Sequence, residues 1–255
     1  MLKNSSSASD PAAPVVAEGS AAHPAIESEA EVRSEREARE RVCELCRHLY
    51  TLGWASGTGG GFSLREGHRI FVAPSGVPKE SIRPEEVFIA DLQGQVISAG
   101  HGRISACTPL FLHAYHLRGA GAVLHSHSLN ACLASLVCAQ PHGDGYVFRI
   151  RGLEMVKGLQ GGHVDEPYEI PIIDNMPYEH ELADSLEQAM LAFPRSNAVL
   201  VRGHGVYIWG RDWVHTKSQA ECYDYLFSAS VRLRELGIDA ATLHRRHVRT
   251  KEGDT

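Results

Sequence analysis

The sequence predicts a three-layer α/β/α domain, in which helices cover both faces of one sheet. A chain of 255 residues with 43% apolar and 22% charged side chains suits one sizeable globular domain better than two small ones. Helical patterns are interleaved with short apolar runs that are typical of β-strands. These strand-like runs crowd the first half of the chain, which argues against a simple alternating parallel sheet.

The folded domain is predicted to occupy residues 31–240. Residues 1–30 are rich in Ser, Ala, Pro and Glu, so they have too few large apolar groups to offset the entropy cost of ordering. We predict that they form a disordered tail. Residues 241–255 carry three Arg, one Lys and two His without apolar periodicity. We predict a second, mobile tail there, unless a neighbouring subunit holds it.

The predicted elements of the folded domain mix helices and strands. From about Val32 to the break at Gly53, the apolar residues share one helix face. A glycine-rich loop then leads into a short strand, Phe-Ser-Leu. Further strands are predicted at residues 69–73, 87–90, 122–125, 169–173, 198–201 and 206–209. Further helices are predicted at residues 108–118, 128–138, 179–193 and 213–236.

Charge and hydropathy argue against two classes of partner. The net charge of −6 is spread along the chain, so we expect neither a basic face for nucleic acid nor a polybasic segment for a lipid surface. The sequence has no run of 18 apolar residues, and its first ten residues lack the apolar core of a secretory signal. We therefore expect a cytoplasmic protein without nucleic-acid or membrane partners.

The cysteines predict reduced thiols rather than a disulfide framework, because the six of them have no regular spacing. Cys43 and Cys46 form a C-x-x-C pair inside a charged amphipathic helix pattern. No second pair accompanies them, which favours packing over a metal or redox role.

Three histidines have the arrangement expected of a metal site. His125 and His127 lie at the end of an apolar strand run, where the two-residue period points both imidazoles to one side. His204 lies between two glycines that separate two apolar runs, so a tight turn can direct it into a cleft. Three neutral imidazoles with an open coordination position are the usual catalytic zinc arrangement. We predict one Zn²⁺ at these histidines; the alternative is a solvent-facing pair and a structural His204.

Two glycine-containing turns are candidates for binding a phosphate group. The first glycine turn (residues 56–61, SGTGGG) and the second glycine turn (residues 73–77, APSGV) can direct backbone N–H groups towards an anion. The first turn matches neither a Walker loop nor a dinucleotide-binding fingerprint. Lys79 and Arg118 could supply charge, but no sequence pattern places them beside the ligand. We predict phosphate contacts at Thr58, Gly59, Ser75 and Gly76; turns without a ligand are the alternative.

In their order and separation, the motifs GTGGGFS, APSGV, H-S-H and the final HG-containing strand turn resemble the class II aldolase/adducin superfamily. The resemblance covers the chain from about Val42 to Leu236. Within the superfamily, stretches such as GWASGTGGGFSL, APSGVPKE and LVRGHGVYIWG resemble methylthioribulose-1-phosphate dehydratases. The resemblance implies a class II aldolase-like domain with a central mixed, largely antiparallel sheet. It also implies a homotetramer with active sites near subunit boundaries and a sugar-phosphate substrate.

The same resemblance assigns roles to two further residues. Sugar-phosphate aldolases of the superfamily place a catalytic glutamate where this chain has Cys107. The dehydratases resemble this chain in having a cysteine there, which implies that Cys107 lines the substrate pocket. They bring a carboxylate from the segment that reads RGLEMVKG here, which implies that Glu154 is the base. The residues alone leave open a small buried thiol at Cys107 and a surface Glu154 paired with Lys157.

The reaction implied by the resemblance is loss of water from 5-methylthioribulose 1-phosphate. With its C2 carbonyl oxygen bound to Zn²⁺, the substrate would lose its C3 proton to Glu154. The same carboxylate would return a proton to the departing C4 hydroxyl. Two other functions stay open. One is a sugar-phosphate aldolase or 4-epimerase, which Cys107 argues against; the other is an adducin-like binding module, which has no need of three histidines.

Overall fold

The computed structural model describes residues 35–98 and 100–243, which all belong to one compact unit. The predicted disordered tail at residues 1–30 lies outside the described residues. So does the predicted mobile tail, apart from residues 241–243. Among the described helices, none combines the length and the apolar character needed to cross a membrane.

A large mixed sheet forms the centre of the domain. Ten strands pair in the order β5-β4-β2-β1-β7-β12-β11-β10-β9-β8, and β3 pairs with β6 separately. Every neighbouring pair in the large sheet is antiparallel except β10 and β11, which are parallel. The prediction of a mixed, largely antiparallel sheet is therefore confirmed. The strands are β1 (Gly61–Glu66), β2 (Arg69–Val72), β3 (Pro74–Ser75), β4 (Phe88–Asp91), β5 (Val96–Ser98), β6 (Arg103–Ile104), β7 (Ala122–Ser126), β8 (Ala139–His142), β9 (Gly145–Ile150), β10 (Tyr168–Ile173), β11 (Ala198–Val201) and β12 (Gly205–Gly210).

Helices cover both faces of this sheet, as the three-layer prediction requires. The α-helices are α1 (Glu35–Thr51), α2 (Thr108–Arg118), α3 (Leu129–Val137), α4 (Ala183–Ala192) and α5 (Trp213–Glu235). One buried cluster joins α1, α3 and α5 to the sheet, and a second joins α2 and α4 to it. Successive strand residues contribute to opposite clusters, as Val123 and Leu124 do, because side chains alternate across a strand. The sheet thus has a buried core on each face.

The structure corrects two details of the predicted elements. The helix predicted at residues 179–193 begins as a 3₁₀ helix, Glu179–Leu182, and only then continues as α4. The Glu181 carboxylate accepts a hydrogen bond from the Tyr178 N–H at 3.2 Å and caps this tighter turn. The β8–β9 hairpin was not predicted, because β8 is a largely polar edge strand that contains a proline.

Strand pairing brings the candidate site motifs to one edge of the sheet. Strand β7 lies between β1 and β12 and is antiparallel to both. His125 near the end of β7 is therefore paired with Gly61 at the start of β1 and with Tyr207 near the start of β12. The first glycine turn precedes β1, and His204 immediately precedes β12. All three motifs consequently meet where β7 ends.

Candidate active site

The three predicted histidines converge in the structure. The Nε2 atoms of His125 and His127 are 2.9 Å apart, and those of His127 and His204 are 3.0 Å apart. The third Nε2 pair, His125 and His204, is 3.2 Å apart. Zinc–nitrogen bonds of about 2.0–2.1 Å in tetrahedral geometry imply ligand spacings of roughly 3.4 Å. This imidazole triad (His125, His127 and His204) therefore has nearly the spacing and the donor chemistry that a zinc ion requires.

Hydrogen bonds at Nδ1 orient two of the imidazole rings in the triad. With its proton on Nδ1, His125 donates to the Val206 carbonyl oxygen at 3.2 Å, which leaves the Nε2 lone pair free for a metal. His204 can donate in the same way from Nδ1 to the Asn175 side-chain oxygen at 3.0 Å. Asn175 lies in the loop after β10, and no sequence motif predicted its role. A metal-binding histidine usually donates a hydrogen bond of this kind from the ring nitrogen that does not bind the metal.

Burial keeps two of the imidazoles in the neutral form that binds metal. Desolvation lowers the pKa of His125 well below its ordinary value, and the neighbouring His127 and His204 lower it further. Desolvation lowers the pKa of His127 to about 4, again with a contribution from His204. Both rings are therefore uncharged near neutral pH, which favours metal binding.

The first glycine turn passes directly over the triad. A Cβ atom at Gly59 would lie 2.3 Å from Nδ1 of His127, closer than atoms can approach. A Cβ atom at Gly60 would lie 2.9 Å from the His125 carbonyl oxygen, and Gly60 has a φ of +71°. The His127 N–H donates to the Trp54 carbonyl oxygen at 2.8 Å and ties the two segments together. Glycine is required at these positions because the backbone approaches the histidines so closely.

A small cavity connects the triad to both glycine turns. Its volume is about 140 Å³, below the roughly 300–1,000 Å³ that is usual for a small-molecule site. Among the predicted residues, Thr58, Gly59, Ser75, Cys107, His125 and His127 line it, whereas Gly76 and Glu154 do not. His204 is not among the lining residues but reaches the same centre through its Nε2. The other lining residues are Gly60, Pro74, Lys79, Ser105, Ala106 and Glu179.

Cys107 lies in the cavity wall immediately before α2 and is only 8% exposed. Desolvation, with the nearby Glu179 as the second cause, raises the pKa of its thiol to about 12. Cys107 is therefore a protonated thiol near neutral pH, a form that can donate a hydrogen bond but is a weak nucleophile.

Glu179 is a cavity carboxylate that the sequence motifs did not reveal. Its Oε1 lies 3.5 Å from both the His125 Nε2 and the Cys107 Sγ. It also accepts a hydrogen bond from the Tyr207 hydroxyl, and the Tyr207 ring stacks on the His125 ring at a centroid distance of 4.1 Å. The only sequence signal was a glutamate at the start of a predicted helix, which is common and indicates no particular contact.

Glu154 lies outside the cavity. It is the first residue of the 3₁₀ helix Glu154–Gly158, and its side chain is 78% exposed. Lys157 Nζ donates to Glu154 Oε1 at 2.9 Å, which is the surface pairing that the sequence had left open. Within one chain, the structure thus brings together the triad and the glycine turns but leaves the predicted base apart. Arg118 is also apart, because it donates to the Phe193 and Pro194 carbonyl oxygens at the end of α4.

Residues 40–231 match the family described as Class II Aldolase and Adducin N-terminal domain. The chain therefore belongs to this family, and the resemblance seen in its motifs is confirmed. Among solved structures, an L-fuculose 1-phosphate aldolase superposes with a TM-score of 0.66 at 18% identity, covering 80% of this chain and 91% of its own. The L-fuculose-1-phosphate aldolase of Thermus thermophilus has a TM-score of 0.56 at 23% identity, with 81% and 96% covered. These likenesses establish the fold alone.

Curated relatives of higher identity carry a more specific name. The methylthioribulose-1-phosphate dehydratase of Aquarana catesbeiana is 46% identical over 80% of this chain and 87% of its own length. That of Gallus gallus is 47% identical over 79% and 85%. A probable bifunctional methylthioribulose-1-phosphate dehydratase/enolase-phosphatase E1 of Arabidopsis thaliana is 46% identical over 81% of this chain. The chain spans only 43% of that plant relative's length.

Proposed function

We propose that this protein is a zinc-dependent hydro-lyase that converts 5-methylthioribulose 1-phosphate into 2,3-diketo-5-methylthiopentyl 1-phosphate, a step of methionine salvage. The observation that carries the proposal is the convergence of three Nε2 atoms, 2.9–3.2 Å apart, beside two glycine turns. Relatives at 46–47% identity named as dehydratases support this substrate over other sugar phosphates.

The imidazole triad would hold the zinc ion, whose Lewis acidity would polarise the C2 carbonyl and make the C3 proton easier to remove. Glu154 would accept that proton and then donate one to the departing C4 hydroxyl, so that one carboxylate serves both transfers. The C3 proton and the C4 hydroxyl together leave as one molecule of water. The enol that remains would tautomerise to the diketone.

The glycine turns would hold the phosphate end of the substrate. Thr58, Gly59 and Ser75 line the cavity beside the triad, and Gly76 follows in the second turn. Backbone N–H groups and the two hydroxyls suit a phosphate, and they would fix the reacting carbons next to the metal. The protonated Cys107 thiol would contact the substrate from the cavity wall.

We further propose that another copy of the chain brings Glu154 to the cavity. Its carboxylate is exposed in the single chain, and the cavity of about 140 Å³ is smaller than is usual for a small-molecule site. A homotetramer with active sites near subunit boundaries would add residues to this cavity and could place Glu154 beside it. We therefore include this assembly in the proposal.

A second candidate function is a sugar-phosphate aldolase. Glu179 favours it, because its carboxylate lies 3.5 Å from the His125 Nε2 and could replace the glutamate that is missing at Cys107. Cleavage of L-fuculose 1-phosphate or L-rhamnulose 1-phosphate would support this alternative.

Turnover of 5-methylthioribulose 1-phosphate by the purified, metal-replete protein tests the main proposal. We expect the diketone phosphate to form at an enzymatic rate, with no carbon–carbon cleavage of the two aldolase substrates. Cleavage of either aldolase substrate without dehydration would replace the main proposal with the second candidate. Absence of both reactions would contradict both.

Metal analysis tests the triad independently of turnover. We expect about one zinc or similar divalent ion per chain in the wild type, because three convergent imidazoles retain metal. His125→Ala, His127→Ala and His204→Ala should each lose most of it. His116→Ala is a matched control, because His116 is an exposed residue of α2. Equal metal content in all five proteins would remove the triad from consideration.

A further inference from the structure

Lys79 is a buried cation beneath the two glycine turns. Its side chain is only 1% exposed, and it lines the cavity. Nζ donates to the carbonyl oxygens of Thr58 at 2.9 Å, Val77 at 3.0 Å and Pro74 at 3.4 Å. Thr58 belongs to the first glycine turn, and Pro74 and Val77 belong to the second. One ammonium group therefore joins the two segments that would hold a phosphate.

The hydrogen bonds identify the charged form of Lys79. An ammonium group has three N–H donors and no acceptor, which matches three surrounding carbonyl oxygens. A neutral amine would turn its lone pair towards one of those oxygens and lose a contact. Desolvation lowers the pKa of Lys79 from its ordinary value. The three carbonyl oxygens accept hydrogen bonds from the ammonium group.

This cation has no anionic partner within the described part of the chain. No Asp or Glu carboxylate among the described residues lies within ion-pair distance of Nζ. A buried charge without a counter-ion is costly, and hydrogen bonds to neutral carbonyl groups do not supply the missing negative charge. A lysine at this position therefore suits an anion that arrives with the ligand.

The positive charge of Lys79 offsets the repulsion that the three carbonyl oxygens would exert on an anion. Carbonyl oxygens are partly negative, so three of them converging on the cavity wall would repel an anion if nothing neutralised them. The Lys79 ammonium group offsets the partial negative charges of these oxygens. Because the carbonyl groups are neutral overall, the net charge beside the turns is positive. The ammonium group does so without offering a free N–H of its own, since all three are used by the backbone.

We propose that Lys79 is a positioning residue of the phosphate subsite: its ammonium group joins the two glycine turns, and its charge stabilises a doubly negative phosphoryl group bound there. This inference rests on the proposed phosphorylated substrate. It assigns to Lys79 the selection of a dianion, and to the turns the direct contacts.

Binding of a non-reacting ligand pair tests the role of Lys79 without turnover. Dihydroxyacetone phosphate carries a phosphate beside a ketone but has no C4 hydroxyl to lose, and dihydroxyacetone is the same ketone without phosphate. Ligand-observed NMR would give both dissociation constants for the wild-type holoenzyme, Lys79→Met and Lys217→Met. Methionine keeps the unbranched shape without charge. Lys217 is a matched control on α5, where it pairs with Glu221.

We expect Lys79→Met to weaken binding of the phosphate ester on the order of tenfold or more, since a nearby buried charge is lost. Binding of the unphosphorylated ketone and the zinc content should change less than about twofold. Lys217→Met should bind both ligands like the wild type. Equal weakening of both ligands in Lys79→Met would show a merely structural role and overturn the proposal, as would unchanged binding of the phosphate ester.

Two further measurements keep the proposal testable if Lys79→Met folds poorly. Lys79→Gln keeps N–H donors for the turns but removes the charge, so it should show the same selective loss. On the wild-type protein, the sulfate ester of dihydroxyacetone, which carries one negative charge instead of two, should bind about tenfold more weakly than the phosphate ester. Equal affinity for the two esters would contradict a charge-selecting Lys79. A protein that passes these tests but does not dehydrate 5-methylthioribulose 1-phosphate would contradict the proposed function alone.

Discussion

The imidazole of His125 is constrained on both ring nitrogens and on one face. Nδ1 faces the Val206 carbonyl oxygen, Nε2 faces the other two histidines, and the ring stacks on Tyr207 with an interplanar angle of 10°. The Tyr207 hydroxyl in turn donates to Glu179. His125 is completely buried, so this ring can neither rotate nor become charged without disturbing several neighbours. The neighbours of His125 therefore hold its imidazole in one orientation.

Glu154→Gln tests the proposed base at the level of one residue. Glutamine keeps the size and hydrogen bonding of glutamate but cannot accept the C3 proton, so kcat should fall by about 10²–10⁴-fold or more. KM should change little, because metal and phosphate contacts would supply most of the binding. Steady-state kinetics on 5-methylthioribulose 1-phosphate would measure both constants.

Zinc content and thermal stability should stay near wild type in Glu154→Gln. Among the described residues, the ion pair that Glu154 loses is the exposed one with Lys157, and such surface ion pairs contribute about 0–1 kcal/mol. Glu40→Gln is a suitable control, because Glu40 is an exposed glutamate paired with Arg36 on α1. Near-normal kcat in Glu154→Gln would eliminate this residue as the base, and loss of zinc would make it a metal ligand instead.

At the scale of elements, the site depends on how closely a loop approaches a strand end. The first glycine turn lies against the end of β7, and Gly59 has no room for a side chain beside His127. The pairing of β1 with β7 sets this distance, because Gly61 and His125 are direct partners in the ladder. A shift of the first glycine turn would therefore also move the histidines at the end of β7.

Gly59→Ala should damage the metal site through this contact. The new methyl group would lie 2.3 Å from the His127 ring, so the imidazole must move away from the other two histidines. We expect zinc affinity, measured by competition with a chromophoric chelator, to fall on the order of tenfold or more. Gly145→Ala is the control: Gly145 lies in β9, outside the glycine turn, and a Cβ there would meet only the His142 carbonyl oxygen at 3.9 Å, an ordinary contact. Wild-type zinc affinity in Gly59→Ala would show that the turn can move freely away from the triad.

The sequence predicted the parts of the site that follow directly from strand patterns. His125, His127 and His204 could be placed because each lies at the end of an apolar run, and the alternation within a strand fixes which way a side chain points. The contacts of Glu179, Asn175 and Lys79 could not be predicted in this way. Glu179 and Cys107 are 72 positions apart, and Lys79 and Thr58 are 21 apart, so only the folded chain places them together. The start of the helix at residues 179–193 was wrong by one 3₁₀ turn, because periodicity alone does not separate the two helix types at an end.

At the scale of the whole molecule, Glu154 and the cavity are separate within one chain. The described residues bring together the triad, both glycine turns, Cys107 and Glu179, whereas Glu154 is solvent-exposed on the 3₁₀ helix packed against α5. That helix is itself firmly held. The Gln219 side chain donates to the Gly158 carbonyl oxygen at 2.6 Å and accepts from the Gln160 N–H at 2.9 Å. A segment anchored in this way is suited to presenting Glu154 to a neighbouring chain.

Mixed oligomers of two inactive variants would test whether Glu154 acts on a neighbouring chain. His125→Ala destroys the triad but keeps Glu154, and Glu154→Gln keeps the triad but lacks the base. If each active site takes its triad from one chain and its base from another, hybrids contain some intact sites. With equal amounts and random mixing, half of the triads and half of the bases are intact, so about a quarter of wild-type activity should return.

Co-expression with two affinity tags and tandem purification would isolate the hybrids. A mixture of His125→Ala with His127→Ala is the control, because no chain in it carries an intact triad. If verified hybrids stayed as inactive as the separate variants, Glu154 would not serve as the base for a neighbouring chain.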